Sequence, residues 1–169
     1  AYTVPATKKK GLNCLFYGHK FFTPLADAIW PVAQKGGITR HKATTYVHKP
    51  HQGAPGIGVR LLSVPEIGPG AVLDRGEIDL LGLTYHQSEK GRLKHYKEWF
   101  DYALARNPKA QLLIHLPSSA DPVRRDLDRL NQTGDAIRAR FYATVIVPLR
   151  KAYPGKKIHF WYSGRVTSE

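Results

Sequence analysis

Five short apolar runs alternate with helical patterns along this chain of 169 residues, and that alternation limits the possible folds most strongly. Strands that alternate with helices predict a parallel sheet with right-handed crossovers. The sequence therefore predicts an α/β domain with three layers, a flavodoxin-like arrangement whose five parallel strands have the order 2-1-3-4-5. The predicted strands cover residues 12–17, 41–47, 78–84, 111–116 and 157–162.

Helices are predicted between these strands from caps and apolar spacing. The first covers residues 24–34, with Thr23 as its N-cap, and residues 91–107 form the clearest amphipathic pattern. Residues 71–75 add a helical turn, and a helical region opens at residue 121. Thr133 is expected to cap a further segment that runs to about residue 153 and contains Pro148. Residues 48–70 contain many Gly and Pro residues and are interpreted as one long loop. Aromatic residues at core-facing helical positions are expected to pack on the sheet, namely Trp30, Tyr96, Trp99 and Phe100.

The length of the chain limits the number of domains, and its net charge limits the kinds of partner it can bind. Residues 1–10 are polar and basic and are expected to form a flexible arm, and residues 11–169 form one domain. The net charge of +13 favours an acidic protein partner or an anionic polysaccharide. Specific nucleic-acid recognition is not expected, since no recognised module is present. No apolar run approaches the roughly 20 residues that span a bilayer.

The start of the chain and the single cysteine give two further expectations. The sequence has no methionine and begins at Ala1, as expected after removal of a signal peptide from a secreted or periplasmic protein. A trimmed chain or the loss of a single initiator methionine explains the same observation. Cys14 lies inside the first apolar run and is expected to be a buried core residue.

Polar residues gather at the predicted carboxyl ends of the strands. In the order 2-1-3-4-5, ligands bind where strands 1 and 3 lie side by side and their connections diverge. Five of the eight histidines fall at predicted strand ends. The residues predicted at this edge are Gly18, His19, Lys20, His48, His51, Tyr85, His86, Gln87, His115, Ser118, Ser119 and Ser163.

Acyl transfer is one chemistry to consider for this edge. It needs a nucleophile, a base and donors for the oxyanion. Backbone N–H groups of Gly53, Gly56 or Gly58, and the amide of Gln87, are candidate donors. Ser118 and Ser163 are candidate hydroxyl nucleophiles, although their spacing favours neither.

Several blocks of the sequence carry a resemblance to a known family. The run Leu15-Phe16-Tyr17-Gly18-His19-Lys20-Phe21-Phe22 is followed by Arg40-His41-Lys42, a Gly-rich loop, Ile78-Asp79-Leu80-Leu81 and Ala105-Arg106-Asn107-Pro108. This pattern resembles the SGNH (GDSL-type) hydrolase superfamily over about residues 12–119. The nearest likeness is to a secreted subgroup whose first block is Gly-His-Ser-Phe. Such families deacylate esters, often on carbohydrates, with a Ser–His–Asp triad.

The resemblance implies that this chain has lost much of the catalytic set. Lys20 stands at the serine position, and one glycine of residues 53–58 stands at the second-block oxyanion position. His86 or Gln87 falls near the position of the absent third-block asparagine, and the Asp-x-x-His block is missing. The sequence therefore predicts a basic binding or accessory subunit in which His19, Lys20, His86 and Gln87 occupy the former catalytic positions. The alternative is an esterase or deacetylase whose catalytic set is altered or is completed by a further segment.

Metal binding has weaker support. His41, His48 and His51 lie close together, and His48-x-x-His51 has a spacing that metal ligands adopt. No HExxH helix or paired cysteines accompany them, so they are interpreted as surface or hydrogen-bonded histidines. No cofactor is expected.

Overall fold

The computed structural model describes residues 10–19, 22–38, 40–48, 53–64, 66–85, 92–117 and 127–163. The five described strands form one parallel sheet of order β2-β1-β3-β4-β5, which confirms the predicted fold and strand order. In chain order the strands are β1 Asn13–His19, β2 Lys42–His48, β3 Leu80–Thr84, β4 Gln111–Leu116 and β5 Ile158–Tyr162. The described helices are α1 Thr23–Lys35, α2 Pro55–Leu62, α3 Pro69–Leu73, α4 Leu93–Arg106, α5 Leu127–Phe141 and α6 Val147–Ala152.

The segment interpreted as one long loop contains α2, so that interpretation was wrong, whereas the helical turn predicted at residues 71–75 corresponds to α3, which begins two residues earlier. Both α2 and α3 begin with proline, whose fixed φ angle suits the first helical residue. Glycine weakens a helix by about 0.5–1 kcal/mol relative to alanine, which hides α2 from sequence reasoning. Packing explains the glycine at residue 58, because a Cβ atom there would lie 2.5 Å from the Tyr17 ring and 2.7 Å from Trp99. Tertiary contacts thus outweigh poor helix propensity.

The helical region between β4 and β5 differs from the predicted one. Thr133 lies inside α5 and does not cap a new segment. A π-helical turn, Tyr142–Ile146, joins α5 to α6, and Pro148 follows it. Proline has no N–H to donate to the preceding turn, and its ring needs extra room there. The wider π-helical turn supplies that room. Residues 121–126, where a helix start was predicted, lie outside the described residues.

The two faces of the sheet are covered unequally by the described helices. Side chains of α2, α4, α5 and α6 form the main core with one face, around Tyr17, Trp99 and Phe141. On the other face α1 packs on β1 and β2, where Phe22 and Ala26 meet Phe16 and Cys14. Cys14 is fully buried, as predicted, and burial raises the pKa of its thiol to about 12.

The face covered by α1 continues onto β4 and β5 with half-buried apolar residues. Leu113 packs against the cluster of Phe16 and Phe22 on this face. Trp161 pairs with His115, whose ring stacks on Phe22, so Trp161 lies on the same face. Parallel strands are usually covered on both faces. The described helices therefore leave Leu113 and Trp161 only partly covered.

Three of the four predicted core aromatics are buried. Tyr96, Trp99 and Phe100 are at most 1% exposed, whereas Trp30 is 41% exposed. The prediction that Trp30 packs in the core was wrong, because Trp30 lies on the face of α1 that points away from the sheet.

Candidate functional site

The carboxyl ends of β1, β3, β4 and β5 bring together a short row of polar side chains. His19 is the last residue of β1, and Thr84 is the last residue of β3. His115 lies next to the end of β4, and Ser163 directly follows β5. The row crosses the place where β1 and β3 pair, which is where sequence reasoning located the site.

His19 begins the row and is almost completely buried, with 2% of its surface exposed. Its Nε2 lies 3.1 Å from the carbonyl oxygen of Tyr85, and 3.5 Å from Thr84 Oγ1. A carbonyl can only accept, so the Tyr85 contact places a proton on Nε2 of His19. This imidazole therefore fixes the end of β1 to the residue after β3.

His115 lies in the middle of the row and is fully buried. Its ring stacks on Phe22 at 5.1 Å between centroids, and the Trp161 ring lies 4.8 Å away at a tilt. Both ring nitrogens have partners: Nδ1 lies 3.3 Å from Thr84 Oγ1, and Nε2 lies 2.8 Å from Ser163 Oγ. Burial, together with the nearby charge of His19, lowers the pKa of His115 to about 4. The imidazole is therefore neutral at neutral pH and a weak base.

Two arrangements of protons satisfy this row. In one, Thr84 donates to His115 Nδ1, and the Nε2–H donates to the exposed Ser163. In the other, the Nδ1–H donates to Thr84 and Ser163 donates its hydroxyl proton to Nε2. Only the second resembles the serine–imidazole pair of nucleophilic catalysis.

The glycines predicted to bind an oxyanion occupy different surroundings. A Cβ atom on Gly53 would lie 2.5 Å from the Gly18 carbonyl carbon and 2.6 Å from the His19 nitrogen, so this loop lies directly against the end of β1. A Cβ atom on Gly18 would meet the Phe22 ring at 2.6 Å. Gly56 is the second residue of α2. The Gly58 N–H already donates to the Ala54 carbonyl within that helix, so the structure does not support Gly58 as an oxyanion donor.

The remaining predicted residues divide into two groups. His48 ends β2 and pairs in register with His19. The others lie outside the described residues: Lys20, His51, His86, Gln87, Ser118 and Ser119. His41 precedes β2, at the other end of the strands. Within the described ranges, no group of three or more His, Cys, Asp or Glu side chains could hold a metal ion.

Thr84 is the member of the row that sequence reasoning missed. It was included in the third predicted strand, yet its hydroxyl is the only polar side-chain group in the described strand β3, Leu80–Thr84. A polar residue at the carboxyl end of a buried parallel strand is a signal that could have identified it.

A small cavity lies next to this row. It has a volume of about 310 Å³ and is lined by Tyr85, Arg140, Phe141 and Thr144, among others. Burial raises the pKa of the Tyr85 hydroxyl, and the charge of Arg140 opposes that shift. The cavity offers a phenol and a guanidinium to a bound group.

No protein-family model matches the chain, and no curated protein matches it. The fold and the site define an α/β protein with a doubly wound parallel sheet and a polar row at its switch point. None of the described helices is long and apolar enough to cross a membrane.

Proposed function

We propose that this chain is an SGNH-like module without serine-esterase catalysis, which acts as a basic accessory subunit and binds an acidic protein partner. The observation that carries the proposal is the state of His115. Its Nε2 lies 2.8 Å from the Ser163 hydroxyl, and burial lowers its pKa to about 4. General bases work best with a pKa near the working pH. Lysine stands at position 20 in place of a hydroxyl, and the imidazole beside the Ser163 hydroxyl is a weak base.

Charge supports a binding role. Lys109, Lys156 and Lys157 line a depression of about 300 Å³ at the start of β4 and β5, and all three are exposed. The residues that line this depression include no carboxylate. Together with the net charge of +13, this basic surface favours an acidic partner.

The neighbouring sheet face favours a protein over a polysaccharide. Lys157, His159 and Trp161 alternate along the chain at β5, so their side chains share one face. Leu113 lies beside His159 on the same face. A partner surface that carries both apolar and acidic side chains matches this combination, including the aliphatic Leu113, for which a sulfated polysaccharide offers no apolar partner.

Charge reversal tests the partner proposal. Substituting Lys109→Glu and Lys157→Glu together is expected to weaken binding of a polyglutamate probe by about tenfold, because attraction between opposite charges is lost. The matched control is Lys94→Glu with Lys97→Glu, which changes the net charge equally on α4. Binding is measured by fluorescence anisotropy at rising salt, and it should weaken steeply as salt screens the charges.

Equal weakening by both double variants would contradict a localised surface. Heparin that binds more tightly than polyglutamate, with the same dependence on Lys109 and Lys157, would instead assign the surface to anionic polysaccharides.

The contact between Ser163 and His115 favours a second candidate, an ester hydrolase. Ser163 is exposed and lies 2.8 Å from Nε2, so its hydroxyl has a proton acceptor within reach. In this candidate, Ser163 Oγ attacks the ester carbonyl carbon as its proton moves to Nε2, and Thr84 holds the ring by accepting from Nδ1. The C–O bond to the alcohol then breaks, the alcohol leaves with the proton from Nε2, and water hydrolyses the acyl-serine to release the acid and restore Ser163.

Hydrolysis of p-nitrophenyl acetate separates the two candidates. We expect no turnover above the buffer rate for the wild type, for Lys20→Ala or for Ser163→Ala, since His115 is a weak base. Turnover that is lost in Ser163→Ala would support the hydrolase and contradict the binding module. Turnover that depends on Lys20 would also contradict the binding module, and would place the reactive group at the end of β1.

A further inference from the structure

A groove lies at the opposite edge of the sheet, where the strands begin. Its volume is about 660 Å³, within the range of about 300–1,000 Å³ for small-molecule sites. One wall is α1, the floor is formed by the starts of β1 and β2, and the other wall is the segment from α3 to β3. The groove is separate from the polar row, since the strands of a parallel sheet begin and end at opposite edges.

Trp30 gives this groove a flat aromatic surface. Its side chain on α1 is 41% exposed, an unusual exposure for the largest apolar side chain. The indole stacks on the His41 imidazole, with centroids 6.3 Å apart and planes 20° apart. One side of the ring is therefore held by His41, and the exposed part is available to a ligand.

His41, which directly precedes β2 in the floor of the groove, provides an unpartnered polar group. It is only 8% exposed, and within the described part of the chain its Nε2 is buried without a hydrogen-bond partner. Leaving such a group unpaired costs about 1–3 kcal/mol. A ligand hydroxyl that reaches this nitrogen would supply the missing partner.

Charged and polar side chains complete the groove in balanced numbers. Asp27 and Glu77 are acidic, Lys42 and Arg75 are basic, and all four are exposed. This balance does not favour a polyanion or a polycation. It suits a neutral ligand with many hydroxyl groups, which can donate to the carboxylates and accept from the cations.

We propose that this groove binds a neutral oligosaccharide, with one sugar ring packed on Trp30 and its hydroxyl groups bound by the surrounding charged side chains. The C–H groups of a pyranose face carry a slight positive charge, which the negative face of an indole attracts. The proposal goes beyond the binding of an acidic partner, because it uses different residues at the other edge of the sheet.

Calorimetric titration of the full chain with β-1,4-linked tetrasaccharides of glucose, N-acetylglucosamine and xylose tests the proposal. At least one is expected to bind, and Trp30→Ala is expected to weaken that binding by about tenfold or more. Trp30→Phe keeps a smaller ring and should weaken it less. His41→Phe keeps the stack but removes Nε2, and should weaken it severalfold. Tyr142→Ala is the matched control, since Tyr142 is similarly exposed at 39% on the π-helical turn.

Three results would overturn the inference. One is that no neutral tetrasaccharide binds at millimolar concentration. Another is that binding is unchanged in Trp30→Ala while circular dichroism shows the variant to be folded. The third is that a heparin tetrasaccharide binds more tightly than the neutral ones and loses affinity in Lys42→Ala and Arg75→Ala, which would assign the groove to anions. None of these results depends on polyglutamate binding, so each proposal can fail alone.

Discussion

Lowering the pH from about 7 to about 4 is expected to remove about 3 kcal/mol from the free energy of unfolding through the His115 imidazole alone, at about 1.4 kcal/mol per pKa unit. Burial lowers the folded-state pKa of His115 from 6.5 to about 4. The unfolded chain therefore binds this proton more tightly than the folded one. The contribution is fully present above about pH 6.5 and is lost as the pH falls toward 4.

Urea unfolding at a series of pH values measures this effect. In His115→Gln the group that titrates is removed, so the slope of unfolding free energy against pH between 6.5 and 4 should become much shallower. His159→Gln is the matched control, because His159 is an exposed histidine on β5 that bonds to Gln111. If the slope is the same in the wild type and in His115→Gln, the buried and neutral state assigned to His115 is wrong.

Trp99→Ala is expected to lower the free energy of unfolding by about 4 kcal/mol, as removal of a fully buried aromatic ring does. The ring lies 4.8 Å from that of Tyr17, and Nε1 donates to the Pro55 carbonyl over 2.8 Å. It thus joins α4, β1 and the start of α2. The loss is measured by denaturant unfolding followed by circular dichroism and fluorescence.

Two further variants separate the contribution of the Trp99 hydrogen bond from that of its buried ring and provide an exposed control. Trp99→Phe keeps most of the ring but leaves the Pro55 carbonyl without its donor, and should cost about 1–3 kcal/mol. Trp30→Ala, on the exposed face of α1, should change stability by about 1 kcal/mol or less. A Trp99→Ala variant as stable as Trp30→Ala would show that α2 does not pack on this ring.

The strand order could be predicted from the sequence because alternating elements and right-handed crossovers allow few arrangements. Helix α2 could not, since glycine and proline are typical of loops, and only contacts with Tyr17 and Trp99 explain Gly58. Trp30 misled the prediction for a related reason. Helical spacing identifies a face, but it does not say which face meets the sheet.

The candidate site could be predicted in part. Topology brought His19 and His115 to the ends of β1 and β4, the two strands that flank β3, as expected. The hydrogen bond between His115 and Ser163 could not be foreseen, because it depends on the register of β4 against β5 and on which side each residue faces. A shift by one residue would turn His115 to the opposite side of the sheet.

The strand order also has a consequence for how the chain folds as it is synthesised. β1 is made first, yet its partner β3 begins only at Leu80, and β4 follows at Gln111. The β3 edge of Asn13–His19 must therefore stay unpaired while the intervening residues leave the ribosome, even though α1 and β2 are made earlier. Parallel pairing across such long separations makes folding slow and exposes early segments to aggregation. The period of greatest vulnerability for this protein falls before its third strand emerges.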